Sequence, residues 1–221
     1  MQGPVAHRFY PMMVTLAGRR CLVVGGGAVA ERKVEALLAC GARVEGISPT
    51  ATPGIQGLAA AGRLRWERRR VEPGDVRGAF LTFAATGESA VNREVARLVR
   101  EAGGQVNVAD DPDASTFHVP AALRRGDLVV AIATGGGSPA LARRLRQRLE
   151  QTLGPEYEAF VATLRELRER AQRSIASAEA RQAVYRQALE SDLYECAATG
   201  DAAAVERRIA ALLAGAAQDG A

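Results

Sequence analysis

The sequence predicts an α/β fold in which a parallel sheet with crossover helices is followed by a small helical domain. Over roughly the first hundred residues, strand-type apolar runs alternate with helix-type periodicity, which is typical of a parallel sheet. From Gly154 onward, apolar residues recur only at spacings of three and four, and no strand pattern returns. A glycine-rich turn directly after the first strand is the third observation.

Turn and cap residues delimit the predicted elements. The first strand is predicted over residues 20–24, and its helix ends at Gly41, a residue type that favours helix ends. Further strands are predicted at 42–48, around 63–69, at 81–86, at 105–109 and at 127–133, with a helix from about 90 to 101. After a second glycine-rich turn, Ser138 as N-cap and Pro139 at the first helical position predict another helix.

The turn after the first strand has the pattern GxGxxA, formed by Gly25, Gly27 and Ala30. In this pattern the first glycine makes the tight turn, the second lets the backbone approach a pyrophosphate, and the small third residue permits close helix packing. The sequence therefore predicts a Rossmann-type dinucleotide site at the start of the first helix. The predicted cofactor contacts here are Gly25, Gly26, Gly27, Ala28 and Val29.

Ligands of such sheets bind beyond the carboxyl ends of the strands. That rule adds Ser48, Pro49 and Thr86 to the cofactor contacts and brings the stretch from Asn107 to Asp110 into the same cleft. Asp110 is the best acid–base candidate in the stretch. The alternative is that Asp110 belongs to a solvated turn together with Asp111 and Asp113.

The acidic residue that holds the adenosine ribose in many such sites is missing from the end of the second predicted strand. Glu45 has roughly the right separation but lies inside that strand, which ends at Ser48 and Pro49. The residues at this position therefore do not decide whether the cofactor is NAD or NADP.

The composition excludes several classes of protein. The 221 residues contain no apolar run long enough for a membrane span, and the amino terminus has no secretory signal, so we expect a cytoplasmic protein. All but one of the 29 Lys and Arg residues are arginine, the exception being Lys33. No aromatic platform or nucleic-acid motif accompanies the arginines, which suit a carboxylate-rich small substrate better than nucleic acid.

Neither of the two histidines, His7 and His118, is paired with a nucleophile or a second metal ligand in the sequence. The three cysteines include no close pair, which indicates reduced thiols. The sequence therefore predicts no resident metal site.

An ordered series of motifs runs from residue 10 to residue 150. Its members are Tyr10-Pro11, 16–19 (LAGR), 23–33 (VVGGGAVAERK), 38–44, 84–86 (AAT), Val91-Asn92, 106–110 (VNVAD), Phe117, Pro120-Ala121, Arg125-Gly126, 131–134 (AIAT), Gly136, Ser138-Pro139 and 141–143 (LAR). This series resembles the precorrin-2 dehydrogenase and sirohydrochlorin ferrochelatase family, the siroheme synthase module. Here His118 replaces a residue that is usually apolar in that family, so it either touches substrate or metal or fills space.

The resemblance implies NAD-dependent oxidation of precorrin-2 to sirohydrochlorin and, in some members, insertion of ferrous iron to give siroheme. Asp110 matches the aspartate that the family uses in both activities, and Thr134 matches a hydroxyl residue lining the same cleft. We expect Asn107, Ser138 and Arg143 to join Thr134 in binding the carboxylate-rich tetrapyrrole. A carboxylate beside such an anion is expected to have a raised pKa, which suits a base.

The resemblance also implies a homodimer with three parts in each chain: an NAD-binding domain at 1–118, a dimerisation segment at 119–150 that exchanges between subunits, and a helical domain at 151–221. A different class of function remains open, because a Rossmann domain with an added helical domain can also sense NAD without catalysis.

Overall fold

A computed structural model describes residues 9–218. The chain divides between Val119 and Pro120 into two compact units, called here the amino-terminal and carboxy-terminal units. The amino-terminal unit contains β1 (Arg20–Val24), α1 (Ala28–Ala39), β2 (Arg43–Ile47), α2 (Pro53–Ala60), β3 (Arg65–Glu67), β4 (Leu81–Ala84), α3 (Ser89–Glu101) and β5 (Val106–Val108).

The five strands form one parallel sheet in the order β3-β2-β1-β4-β5. This order, with helices between the strands, confirms the predicted Rossmann-type fold. Successive residues of β1 face opposite sides of the sheet: Cys21 and Val23 pack toward α1 and α2, whereas Leu22 and Val24 pack toward α3. Both faces of β1 are therefore buried, which explains its continuous apolar run.

The carboxy-terminal unit begins with two antiparallel strands and continues as helices. Its elements are β6 (Ala121–Arg125), β7 (Leu128–Ile132), α4 (Pro139–Thr152), α5 (Glu156–Ser174), α6 (Ala178–Glu190), α7 (Leu193–Thr199) and α8 (Ala202–Gln218). Fully buried Leu167, Val184, Leu193 and Ile209 bring α5 to α8 around one core. The prediction of an all-helical chain from Gly154 onward is confirmed within the described residues.

Two elements were not predicted. Helix α2 contains two glycines, and it begins through the Thr52 hydroxyl, which accepts from the Ile55 amide at 3.4 Å, and through Pro53 at the first helical position. Strand β6 has only one fully buried apolar side chain, Leu123, so its sequence shows little alternation of apolar and polar residues. It is a strand because it pairs with β7. The predicted strands at 42–48 and 63–69 are each shorter in the structure because only their central residues join the ladder.

None of the helices in the described part of the chain combines the length and apolar composition that a bilayer crossing needs. Within residues 9–218, no group of three or more His, Cys, Asp or Glu side chains is arranged to hold a metal ion. The further division of the second unit into a segment at 119–150 and a helical domain from 151 stays a prediction.

Candidate active site

The sheet order places a crevice at the carboxyl ends of β1 and β4. The chain leaves β1 toward β2 on one side and later returns to add β4 on the other, so the connecting segments diverge at this edge. The residues that follow these two strands are Gly25 and Ala85, and the amide of Ala85 donates to the carbonyl of Val24 at 2.8 Å. In folds of this kind, such a crevice is where a dinucleotide binds.

Gly25 makes the turn that leaves β1. Its φ of +131° lies in a region that favours glycine, and its amide donates to the carbonyl of Ile47 at 3.0 Å. A Cβ at Gly25 would overlap the Ala85 carbonyl, lying 2.6 Å from its carbon. At Gly26 a Cβ would overlap the Thr50 carbonyl and lie 2.6 Å from Ser48 Oγ. Both glycines are thus needed for the close approach of three chain segments.

Gly27 differs, because a Cβ there would meet no atom of residues 9–218 within 4 Å. It is the N-cap of α1 and, having no side chain, it makes no side-chain cap to the first turn of that helix. Ala28 and Val29, the first two helical residues, are exposed. Open space in front of uncapped helix amides fits a pyrophosphate, which the backbone N–H groups and the helix dipole bind. The structure therefore brings all five predicted residues from Gly25 to Val29 together at one turn.

The end of β2 lies against this turn. Ser48 is buried, and its hydroxyl accepts a hydrogen bond from Trp66 Nε1 at 3.1 Å. Pro49 is exposed, and its carbonyl accepts from Arg68 Nε at 3.2 Å. The amide of Thr52 donates to the carbonyl of Gly26 at 2.9 Å, which ties the segment after β2 to the glycine turn. Ser48 supports this wall of the crevice, whereas Pro49 lies on its surface.

Glu45 is engaged elsewhere. Its carboxylate accepts from Arg20 Nε and Nη2 at 2.9 and 2.7 Å. The hydrogen bonds from Arg20 hold the pKa of Glu45 below its ordinary value. Arg20 is the first residue of β1, so this ion pair draws the carboxylate toward the amino ends of the strands. Glu45 is therefore a structural ion-pair residue and not a ribose ligand.

A hydrogen-bonded cluster joins the ends of β4 and β5. Fully buried Asn92 donates from Nδ2 to Asp110 Oδ1 at 2.8 Å, and its Oδ1 accepts from the amide and hydroxyl of Thr86 at 3.0 and 2.8 Å. Ser89 Oγ donates to Asp110 Oδ2. Asp110 is exposed, so its carboxylate is held at a defined position on the surface of the crevice. This network favours a positioned functional group over the solvated turn that the sequence also allowed.

The hydrogen bonds change the expected protonation of Asp110. Those from Ser89 and Asn92, in that order, lower the pKa of Asp110 below its ordinary value, because both stabilise the carboxylate. The raised pKa expected beside an anionic substrate stays a prediction, because this lowered pKa belongs to the protein without substrate. Asp110 is ionised at neutral pH and is ready to accept a proton.

Sequence reasoning missed Ser89 and Asn92 as site residues. Asn92 was part of the motif series, but nothing in its spacing linked it to Asp110, which lies 18 positions further on. Ser89 is simply the first residue of α3. Only the packing of α3 beside β4 and β5 brings these side chains to the carboxylate.

We expect Ser89→Ala and Asn92→Ala each to raise the pKa of Asp110 toward the ordinary value for aspartate, because each removes a hydrogen bond to the ionised form. A lowered pKa of Asp110 stabilises the folded protein at pH values above the ordinary pKa of aspartate, and this stabilisation is lost as the pH falls through the lowered pKa. Both variants should therefore lose stability mainly at neutral pH. Carbon-13 NMR titration of the Asp110 carboxyl measures the shift. Ser177→Ala, which removes a similar hydroxyl-to-carboxylate bond at Glu179, is the control and should leave Asp110 unchanged. An unaltered pKa in Ser89→Ala would contradict the assignment.

The predicted substrate residues lie in different places. Asn107 lies in β5, and its side-chain Nδ2 donates to the Phe117 carbonyl at 3.1 Å. This bond holds the chain around Phe117 against β5. The other three predicted substrate residues are in the carboxy-terminal unit. Thr134 Oγ1 accepts a hydrogen bond from the Ser138 backbone amide at 3.0 Å, and Ser138 Oγ caps α4 by accepting from the Leu141 backbone amide at 3.2 Å. Arg143 is exposed on α4. Thr134 and Ser138 thus build the second glycine-rich turn, and substrate binding by all four stays a prediction.

His118 contacts the ring of Phe9 edge to face, with the ring centroids 4.5 Å apart. This is a packing contact within the amino-terminal unit. His7 lies outside the described residues.

Comparison with known proteins agrees with this geometry. A family described as NAD(P)-binding matches residues 12–121, and one described as the central part of sirohaem biosynthesis proteins matches residues 125–152. The siroheme synthase of Chromobacterium violaceum is 38% identical over 207 residues, which cover 92% of this chain and 44% of that protein. That of Methylococcus capsulatus is 39% identical over 199 residues, covering 90% and 42%.

The chain belongs to the siroheme synthase family. It spans less than half the length of the siroheme synthases just compared. A solved structure of SirC, a precorrin-2 dehydrogenase, covers nearly the same extent: it is similar with a TM-score of 0.77 and 28% identity over 92% of this chain and 98% of that one. Membership confirms the predicted family, and the glycine turn lies within the part of the chain, residues 12–121, that matches the family described as NAD(P)-binding.

Proposed function

We propose that this member of the siroheme synthase family is a precorrin-2 dehydrogenase, which oxidises precorrin-2 to sirohydrochlorin with NAD as the acceptor. The observation that carries the proposal is the similarity to SirC over 98% of that chain, combined with a dinucleotide turn and a fixed carboxylate on the same sheet edge. The reaction removes two hydrogens from the macrocycle, one as a hydride and one as a proton.

The glycine turn supplies the cofactor site. The N–H groups at the start of α1 bind the pyrophosphate in the open space beside Gly27, and Thr86 lies at the end of β4 on the other side of the crevice. When bound, the nicotinamide accepts the hydride. Ser48 keeps the wall of the site in place through Trp66 and its contact with Gly26.

Asp110 accepts the proton that leaves with the hydride. Its carboxylate is ionised at neutral pH, and the Ser89 and Asn92 bonds orient both oxygens. As the substrate's own carboxylates approach, like-charge repulsion raises the proton affinity of Asp110, so that it becomes a better base only when the substrate is present. This sequence of events reconciles a low pKa in the free protein with proton transfer during turnover.

The arginines and the second glycine-rich turn serve the substrate. Within the carboxy-terminal unit, Thr134, Ser138 and Arg143 bind carboxylates of the tetrapyrrole. The segment 119–150 joins two copies into a homodimer, which the exposed Leu141 and Leu145 on α4 support. Light scattering at micromolar protein concentration tests the dimer by its mass.

The test of the proposed function is anaerobic incubation of the pure protein with precorrin-2 and NAD. We expect NADH and sirohydrochlorin to form in equal amounts, seen as a rise in NADH absorbance together with the change in the macrocycle spectrum. Binding of NAD without turnover would contradict the proposal and favour the alternative of an NAD-sensing module. A second stage, sirohydrochlorin with ferrous ion, shows by the metal-insertion rate above the protein-free rate whether the same protein is a chelatase.

A further inference from the structure

We propose that Arg68 forms a binding site for the 2′-phosphate of NADP, so that this protein takes both NADP and NAD. The inference rests on the cofactor site proposed above and adds the residue that determines specificity at its adenosine end. It starts from the question that the sequence left open, namely what lies beside the adenosine ribose.

No acidic side chain is available at that position. The residues that follow β2 are Ser48, Pro49 and Thr50, all neutral. The nearest acid in β2, Glu45, is held by Arg20 at 2.7 Å. An acidic residue at this point normally binds the 2′-hydroxyl of NAD and repels the 2′-phosphate of NADP. The site therefore lacks the usual element that excludes NADP.

Arg68 is fixed at this same edge. It directly follows β3, which pairs with β2, and the Ser48 amide donates to the carbonyl of Glu67 at 3.2 Å. Its Nε donates to the carbonyl of Pro49 at 3.2 Å. The guanidinium is thus tied to the residues after β2, where the ribose of a dinucleotide lies in this fold.

Two nearby arginines, Arg65 and Arg69, are engaged in ion pairs, whereas Arg68 is not. Arg69 binds Glu67 and Asp75, both at 2.7 Å, and Arg65 binds Glu67 at 2.9 Å. Among the residues that the structure describes, no ion pair involves Arg68, whose side chain is exposed. The bond to Pro49 uses Nε and leaves the two terminal nitrogens to donate to a phosphate, for which the planar arginine fork is well suited.

Trp66 provides a readout that needs no substrate. It is the only tryptophan in the chain, and it bonds to Ser48 on the wall of the same site. Titration of the protein with NADH or NADPH should quench its fluorescence by energy transfer to the reduced nicotinamide. We expect NADPH to bind at least as tightly as NADH. In Arg68→Gln the Kd for NADPH should rise at least tenfold and that for NADH less than twofold.

Arg63→Gln is the matched control, because it also removes an exposed arginine charge. Arg63 comes just before β3 and so lies at the amino ends of the strands, whereas Arg68 lies at their carboxyl ends. It should leave the ratio of the two Kd values unchanged. If NADH binds and NADPH binds at least tenfold more weakly in the unmodified protein, the role of Arg68 is wrong while the proposed function stands. The same conclusion follows if Arg68→Gln weakens both nucleotides equally. If neither nucleotide binds, the cofactor site and the proposed function both fail.

Discussion

Replacing Asp110 with asparagine is expected to lower the rate of NADH formation from precorrin-2 by about 10²- to 10⁴-fold, the usual contribution of a positioned general base. The amide keeps the size of the carboxylate but cannot take the proton. NADH binding, followed through Trp66, should change less than about twofold, because Asp110 follows β5 whereas the pyrophosphate lies beside α1.

The control is Asp113→Asn, an exposed carboxylate three positions further along the same turn. It should retain the rate of the unmodified protein within a factor of two or so, because no contact ties it to Ser89 or Asn92 in the way that fixes Asp110. Undiminished turnover in Asp110→Asn would remove this residue from the mechanism. Equal losses in the two variants would indicate a general effect of charge and not a base.

Two neighbouring glycines are expected to respond differently to the same change. Gly25→Ala introduces a side chain at φ +131° and an overlap with the Ala85 carbonyl, so we expect unfolding to become easier by roughly 2–6 kcal/mol. The upper end of this range reaches the stability of a marginally stable domain, about 5 kcal/mol. Thermal unfolding of the amino-terminal unit measures it.

Gly27→Ala should leave the fold intact, because a Cβ there meets no atom within 4 Å in the part of the chain that the structure describes. The same methyl group occupies the space into which the pyrophosphate must come, so NADH affinity should fall roughly 10- to 100-fold. Gly57→Ala in α2, also without a neighbour within 4 Å, is the control; it should be slightly stabilising and keep full affinity. Unchanged NADH binding in Gly27→Ala would show that the phosphates lie elsewhere.

The site combines features that the sequence reveals with others that it does not. The glycine turn is a local pattern whose strand, turn and helix are consecutive, so its conformation could be predicted from ten residues. Asp110 was identified by its place after a strand and by the family resemblance. Its low pKa was not, because the hydrogen bonds come from Ser89 and Asn92 on the preceding helix.

The same distinction applies to the fold. Caps such as Ser138 with Pro139 act within one turn of helix, and the structure has α4 beginning there as predicted. Strand β6 was missed because its own apolar pattern is weak, and only the ladder with β7 makes it a strand. Helix α2 was missed because its glycines lower its helical propensity, which packing of Ile55 into the core compensates.

The sequence by itself determined the Rossmann-type order of elements, the position of the dinucleotide turn and the family, since each is recorded in short runs of neighbouring residues. Tertiary structure alone decided which polar side chains meet. It engaged Glu45 with Arg20, placed Asn92 between Thr86 and Asp110, and brought Arg68 to the end of β2. The physical reason is that hydrogen bonds and ion pairs act over about 3 Å, whereas these partners are separated by 6 to 25 positions along the chain.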